Sequence, residues 1–375
     1  MNGFLLLAVF FALMLFGVPL YASLTMAGLL GILGAGGPAL LRVVPQQFFG
    51  GMDSFSLMAI PFFILTGTLM NRSGLTDRLI DFSRLAVGSV RGGLGYVNVV
   101  GSVIFAGVNG SAAADASALG SILIPAMVKE GFPASYAAGI TAGSSLIGPI
   151  IPPSIFMIIY ASMTNTSIGG LFAAGVAPGI ALGLAYMVMN WYYVRKYDVP
   201  KTDLTGVYAQ KWRILFRSLL ALLAPCIIMC GIMSGVVTPT ESGALAAAYC
   251  VFAGVAVTRR LTLRGFAEAI GETVRLTSAI FLIMGAASVV GWYLKWERVT
   301  QAFSQVIVDA GLLGHPWLLM VVLSLIVFVI GMFMEEISVM TLLTPVFAPL
   351  AAKAGIDPFH FGVVMTLNEI GRASC

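Results

Sequence analysis

The sequence predicts an all-α polytopic membrane protein. We expect an inverted repeat of about five spans in each half, with two re-entrant helical hairpins and broken helices. Composition is the first reason, because 59% of the 375 residues are hydrophobic and 10% are charged, whereas soluble proteins carry roughly 25% charged residues. The second reason is an apolar segment interrupted by prolines, and the third is an order of elements that occurs twice. Apolar runs of spanning length recur along the chain, as membrane helices require.

The chain begins with three apolar runs and one amphipathic segment. Residues 3–16 and 20–36 flank Gly17-Val18-Pro19, and residues 55–71 form a third run. The first run lacks the basic n-region of a cleaved signal peptide, so we expect it to be a membrane helix. Residues 74–91 alternate arginines with leucines, a pattern typical of an amphipathic helix at the membrane interface.

Residues 92–129 predict the first re-entrant hairpin. Each apolar arm is short for a span, and the arms meet at a polar tip that runs from Asn109 to Asp115. We interpret Asp115 as a helix-start residue, and a role as a ligand is the alternative.

The segment 134–163 predicts a broken helix, with the interruption between Gly143 and Ser154. A helix cannot continue through Pro149, Pro152 and Pro153, because each proline removes a backbone donor and its ring clashes with the preceding turn. Carbonyls freed in hydrocarbon cost several kcal/mol each unless something binds them. Broken helices of this kind hold substrate and coupling ions in secondary transporters, although a plain proline kink would leave the same pattern.

A polar linker at 195–217 separates a first repeat, 1–194, from a second repeat, 218–368. After the linker the same order recurs. The expected parts are spans at 218–234, 238–258 and 276–294, a basic loop at 259–275, an amphipathic arm at 295–311, a hairpin from Pro316 to Ala352 and a last helix from Pro358. An internal repeat with an odd number of crossings places the second copy upside down.

Charge agrees with that inversion. Fourteen of the twenty Lys and Arg residues lie in the segments 72–91, 195–217 and 259–275. With the N-terminus outside, crossing parity places all three segments in the cytoplasm, as the positive-inside rule requires. The first hairpin is then expected to enter from the cytoplasm and the second from the opposite face.

Several function classes are excluded by the motifs that the sequence lacks. There is no GxxxxGK[ST] segment for ATP hydrolysis, and the four cysteines show no CxxC or Cys/His spacing for a metal. We find no Ser/His, His/Glu or paired-Asp arrangement that an intramembrane protease or transferase would need. We therefore expect a protein that is not an enzyme.

Four motifs in a fixed order carry a family resemblance: Asn109-Gly110-Ser111 with Asp115, Ile151–Ser154, Gly235–Glu241 and Gly331–Glu335. Over residues 1–368 the chain resembles the large membrane subunit of tripartite ATP-independent periplasmic (TRAP) transporters, the DctM-like family. Glu335 departs from the family, where many relatives have Asp, and Ala112-Ala113 stands where a serine is common. One hydroxyl ligand is therefore missing or supplied elsewhere.

The resemblance implies a sodium-driven, elevator-type importer in the bacterial inner membrane. It implies two partners, a small four-helix membrane subunit and a periplasmic substrate-binding protein, and no cofactor beyond the coupling ion sodium. Substrates of the family are mostly organic acids, including dicarboxylates and sialic acid. A stand-alone sodium/dicarboxylate symporter of related architecture is the alternative, and a purely structural membrane subunit is another.

The expected ligands follow from this resemblance and from the two breaks in the helices. The sodium ligands of the first cluster are Asn109, Gly110, Ser144, Ser145 and Gly148, and those of the second are Gly331, Glu335, Thr366 and Asn368. The expected substrate-binding residues are Ser111, Pro152, Pro153 and Ser154, because helix N-termini offer donors to a carboxylate. Serine and threonine in membrane helices also bond local carbonyls, and Glu241 also fits a helix cap.

Residues 369–375 read Glu-Ile-Gly-Arg-Ala-Ser-Cys. This is one translated frame of a common short-read sequencing adapter. We expect these residues to be an artefact and the second repeat to be truncated before its own proline pair.

Overall fold

The computed structural model describes the backbone of residues 3–197, 199 and 211–373, and no β-strand occurs among them. Seven helices in this part of the chain are long and apolar enough to span a membrane. The predicted all-α polytopic fold is confirmed, whereas the repeat boundaries and their inversion stay predictions. In chain order the α-helices are α1 Gly3–Leu15, α2 Leu20–Gly36, α3 Val43–Gly50, α4 Ala59–Arg72, α5 Leu75–Val87, α6 Gly93–Asn109, α7 Ala112–Lys129, α8 Ala134–Ser145, α9 Ile155–Thr164, α10 Ile168–Lys196, α11 Lys211–Met233, α12 Pro239–Phe252, α13 Leu263–Trp296, α14 Val299–Asp309, α15 Pro316–Gly331, α16 Glu336–Lys353 and α17 Pro358–Ala373.

The residues group into two packing units, and each unit draws on both halves of the sequence. The first packing unit contains residues 3–57, 158–167 and 275–372, and the second contains 58–157 and 168–274. Chain order and packing therefore follow different divisions, because helices distant in sequence pack together within each unit.

The second packing unit is held by close helix contacts at small residues. A Cβ at Gly243 of α12 would lie 2.9 Å from Phe62 of α4, so only glycine allows this approach. The Thr66 hydroxyl donates to the Gly243 carbonyl at 3.3 Å, and the Tyr249 hydroxyl donates to the Leu220 carbonyl at 2.6 Å. Small residues at such contacts let membrane helices pack without a hydrophobic driving force.

The first packing unit uses the same device. A Cβ at Gly31 of α2 would lie 3.0 Å from Leu6 and 3.2 Å from the buried ring of Tyr293 in α13. The Asn368 amide in α17 donates to the Ser324 hydroxyl in α15 at 2.9 Å. Phe303 of α14 stacks on Phe347 of α16 with ring centroids 5.6 Å apart.

One predicted loop is a helix. The sequence predicts a basic loop over 259–275, whereas α13 begins at Leu263 and runs without a break to Trp296. Its charges are paired there: Glu268 accepts from Arg264 one helical turn away at 3.0 Å and from Arg72 of α4 at 2.5 Å. Neutralised in this way, a charged segment continues an apolar helix instead of ending it.

Two further differences concern short segments. The predicted linker 195–217 is helical at its start, where α10 continues to Lys196, and at its end, where α11 begins at Lys211. Its middle, residues 200–210, lies outside the described residues. The sequence assigned no helix to 37–54, where the structure has a 3-10 turn over Pro38–Arg42 followed by α3.

Glu241 is a helix cap, as the alternative interpretation held. Its carboxylate accepts from the Thr238 backbone N–H at 2.8 Å, and the Thr238 hydroxyl accepts from the Glu241 N–H at 3.3 Å. This reciprocal capping box starts α12 and satisfies two backbone donors that have no partner within the helix.

Candidate functional site

The first hairpin turns at a left-handed glycine. Its first arm, α6, ends at Asn109, and Gly110 has φ +58°. Ser111 then caps the second arm, α7, because its hydroxyl accepts from the Ala114 N–H at 3.5 Å. The helices α6 and α7 therefore meet at a polar turn, whereas re-entry of this hairpin into the membrane stays a prediction. The side chain of Asn109 lies outside the described residues.

The broken helix is also present. The helix α8 ends at Ser145, a turn follows, and α9 begins at Ile155. The Pro152-Pro153 peptide is cis, and the Ser154 hydroxyl accepts from the Met157 N–H at 3.3 Å. Ser111 and Ser154 thus both act as helix N-caps, since each hydroxyl accepts a hydrogen bond from an N–H that has no partner within its helix.

The hairpin tip lies directly against the break. A Cβ at Gly110 would clash with the carbonyl oxygen of Pro153. A Cβ at Gly148 would lie 3.5 Å from the Ser111 carbonyl oxygen and 3.1 Å from that of Ser145. The structure therefore brings together Gly110, Ser111, Gly148 and Pro153, four of the residues predicted from the sequence.

Beside the tip, the buried polar side chains of α6, α7 and α8 form one group, which we call the polar cluster: Asn98, Ser102, Asp115, Thr141, Ser144 and Ser145. The Asn98 amide donates to the Thr141 hydroxyl at 2.6 Å, and the Ser102 and Ser144 hydroxyls are 3.0 Å apart. The hydroxyls of Ser144 and Ser145 donate to the Thr141 carbonyl at 3.2 and 2.7 Å. Both predicted ligands thus bond a local carbonyl, as the alternative interpretation held.

Asp115 is the charged member of the polar cluster. Its side chain is completely buried, and neither oxygen accepts a hydrogen bond of good geometry from the described residues. The Ser102 and Ser145 hydroxyls lie beside this carboxylate. Asp115 lies in the first turn of α7, as the helix-start interpretation held, and the side-chain cap of that helix is Ser111. A buried charge without a counter-charge costs several kcal/mol, and a bound cation would remove that cost.

The second hairpin has a similar tip. Its first arm, α15, ends at Gly331, and Glu335 caps the second arm, α16, by accepting from the Ser338 N–H at 3.3 Å. The Thr366 hydroxyl donates to the Gly362 carbonyl of its own helix at 2.9 Å. Asn368 reaches α15 through Ser324. Of the predicted second cluster, Asn368 forms a hydrogen bond that joins the last helix to the hairpin. Glu335 caps a helix, and Thr366 forms a hydrogen bond within its own helix.

Comparison with known proteins decides the family. The model of the DctM component of tripartite ATP-independent periplasmic transporters matches residues 7–373. The chain belongs to this TRAP family. The resemblance inferred from the four motifs is therefore confirmed.

The relatives are TRAP permeases with different named substrates. The chain is 39% identical to the sialic acid TRAP transporter large permease protein SiaM of Vibrio cholerae, over 88% of this chain and 76% of that protein. It is 38% identical to the C4-dicarboxylate TRAP large permease protein DctM of Pseudomonas aeruginosa, over 93% and 81%. As a TRAP large permease subunit it is a multi-pass inner-membrane protein, and the family implies a small membrane subunit and a periplasmic binding protein.

Solved structures of other transporters share the fold. Neisseria gonorrhoeae MtrF aligns with a TM-score of 0.62 at 15% identity, over 91% of this chain and 75% of that one. The YdaH transporter of Alcanivorax borkumensis aligns with a TM-score of 0.58 at 14% identity, over 90% and 78%. At such low identity the likeness concerns the fold alone.

Proposed function

We propose that this chain is the membrane-embedded large permease subunit of a sodium-coupled, elevator-type importer of organic acids. The substrate is a C4-dicarboxylate or a sugar acid, delivered by a periplasmic substrate-binding protein, and a small four-helix membrane subunit completes the assembly. The observation that carries the proposal is the contact between the first hairpin tip and the broken helix, with the buried carboxylate of Asp115 beside it.

The coupling ion fits the chemistry of this region. Sodium needs several oxygen ligands, and the unwound backbone of broken helices supplies carbonyl oxygens for it. The carbonyls of Ser111, Ser145 and Pro153 lie at the tip and the break. Asp115 would supply the negative charge, and the hydroxyl oxygens of Ser144 and Ser145 would keep lone pairs for the ion, because each hydroxyl uses only its hydrogen to bond the Thr141 carbonyl. The second ion would bind at the second tip, with Gly331, Glu335, Thr366 and Asn368.

The substrate carboxylate fits the two helix starts. Ser111 and Ser154 stand at the N-termini of α7 and α9, where backbone N–H groups and the helix dipole favour an anion. Pro152 and Pro153 directly precede Ser154 and keep the backbone there from continuing a helix. Relatives named for sialic acid and for C4-dicarboxylates both transport acids, which agrees with a carboxylate as the recognised group.

The requirement for partners distinguishes this proposal from its alternative, a stand-alone sodium/dicarboxylate symporter. The chain is reconstituted in vesicles with its small subunit, and the binding protein is added outside with the organic acid that stabilises it. We expect uptake only when all three proteins are present. Uptake at the same rate without the binding protein would favour the stand-alone symporter, and no uptake under any condition would favour a structural subunit.

A further inference from the structure

A basic cavity lies in the second packing unit, away from the hairpin tip and the broken helix. It has a volume of about 370 Å³, and four arginines and two aspartates line it. We call it the basic pocket, and its charged residues are Asp77, Arg78, Asp81, Arg213, Arg217 and Arg260. They come from α5, from the start of α11 and from the segment after α12, so the fold and not one sequence segment collects them.

The basic pocket has more positive charge than its own carboxylates neutralise. Arg260 pairs with Asp77 at 2.9 Å, and Asp81 lies 4.0 Å from Arg84, which is not part of the pocket lining. Arg78, Arg213 and Arg217 form no ion pair with any described residue. Partial burial and the positive charges of Arg217 and Arg260 lower the pKa of the Arg78 guanidinium. Like charges therefore repel one another here, and a bound anion would relieve that repulsion.

The pocket opens beside an apolar surface. On α11, Trp212, Phe216 and Leu219 are 64%, 68% and 56% exposed. Their spacing of four and three residues puts them on one face of the helix, next to the face with Arg213 and Arg217. A tryptophan beside arginines at the end of a spanning helix is typical of the membrane interface. The adjoining charged and apolar faces suit an amphiphile better than a free ion.

We propose that the basic pocket binds the phosphate group of an anionic phospholipid from the cytoplasmic leaflet, with an acyl chain along the apolar face of α11. Arginine guanidinium groups donate paired hydrogen bonds to phosphate oxygens. Basic pockets between membrane helices on the cytoplasmic side bind such headgroups, and the positive-inside rule places this arginine-rich face in the cytoplasm. Free inorganic phosphate offers the same oxygens and is the competing source of the ligand.

The test measures lipid retention by native mass spectrometry on the purified full chain. Phosphatidylglycerol, cardiolipin and phosphatidylcholine are titrated separately. We expect the anionic lipids to bind and phosphatidylcholine to bind much more weakly. In the double variant Arg213→Gln/Arg217→Gln, affinity for the anionic lipids should fall about 30-fold, from the roughly 1 kcal/mol that each basic residue near a membrane surface contributes.

Matched variants separate a site from general charge. Arg259→Gln/Arg264→Gln removes the same charge outside the pocket lining and should bind lipid as the unmodified chain does. Arg213→Lys/Arg217→Lys keeps the charge without the paired donors and should lose less affinity than the glutamine pair. Equal losses in the pocket and control variants would overturn the proposal. Displacement of the lipid by millimolar inorganic phosphate would identify a free-phosphate site instead and overturn it as well.

Discussion

At the residue scale, the candidate site depends on two residues of opposite character. Asp115 places a carboxyl group in a buried group of hydroxyls. Gly110 has no side chain, and this absence lets the hairpin tip touch Pro153. When ionised, the Asp115 carboxylate would attract a cation. Gly110 would let the backbone carbonyls of the tip and the break approach the same ion.

Replacement of Asp115 by Asn tests the role of the charge. Asn has nearly the same shape, so the helix should form, but the counter-charge for a bound cation is gone. Loss of one partner from a buried charge pair costs about 3–5 kcal/mol, so we expect sodium affinity, measured from the sodium dependence of uptake, to fall at least about 100-fold. Asp309→Asn, at an exposed carboxylate bonded to Gln305, is the control. Unchanged sodium dependence in Asp115→Asn would assign this carboxylate a purely structural role.

Replacement of Gly110 by Ala tests the contact between the tip and the break. Alanine at φ +58° costs about 1–2 kcal/mol, and its methyl group would displace Pro153. We expect uptake to be lost and the melting temperature to fall. Gly139→Ala is the matched control, because a Cβ there meets nothing within 4 Å and alanine favours a helix by up to about 1 kcal/mol. Full uptake by Gly110→Ala would show that the tip does not need this approach.

Replacement of Ser145 by Leu tests the break from the other side. The hydroxyl of Ser145 is buried and bonded to the Thr141 carbonyl at 2.7 Å, so a bulky apolar side chain would displace the polar cluster. We expect sodium-coupled uptake to be abolished while assembly with the small subunit is retained. Ser121→Leu is the control, since this hydroxyl is exposed and bonds only its own helix. Normal sodium dependence in Ser145→Leu would remove this region from the ion site.

At the element scale, the spans and hairpins are predictable because a change from apolar to polar residues is local. The tip at 109–111 and the break at 146–154 follow from glycine, serine and proline in apolar surroundings. The first part of α13 is not predictable in this way, because its charges are neutralised by Arg72, which is distant in sequence. Three members of the polar cluster, Asn98, Ser102 and Thr141, were missed for the same reason. Asn98 with Ser102, and Thr141 with Ser145, are spaced by four residues, a signal that becomes informative only when α6 and α8 pack together.

The topology prediction belongs to these elements. With the N-terminus outside, the end of α13 and the arm α14 face the periplasm, and the start of α13 faces the cytoplasm. In a chain with Cys226, Cys230, Cys250 and Cys375 replaced, a membrane-impermeant thiol reagent added outside should label Gln301→Cys and spare Arg264→Cys. Both positions are exposed. Labelling of Arg264→Cys alone would invert the topology.

At the scale of the whole molecule, family membership fixes the kind of protein, and the site geometry supports the mechanism proposed for it. The first hairpin tip and the break at 146–154 lie within the second packing unit, so their contact does not depend on how the two units are arranged. We expect the binding protein to select the substrate more than this chain does, since relatives at similar identity carry names for sialic acid and for C4-dicarboxylates. The coupling ion, in contrast, would have to bind to this chain.

Sodium-driven accumulation is therefore the most direct test of the mechanism. The chain and its small subunit are reconstituted in vesicles, the loaded binding protein is added outside, and uptake of the radiolabelled organic acid is followed over time. An inward sodium gradient should accumulate the acid above its outside concentration, and equimolar potassium should give no accumulation. Accumulation that persists without sodium, or that follows an imposed proton gradient instead, would contradict the proposed coupling.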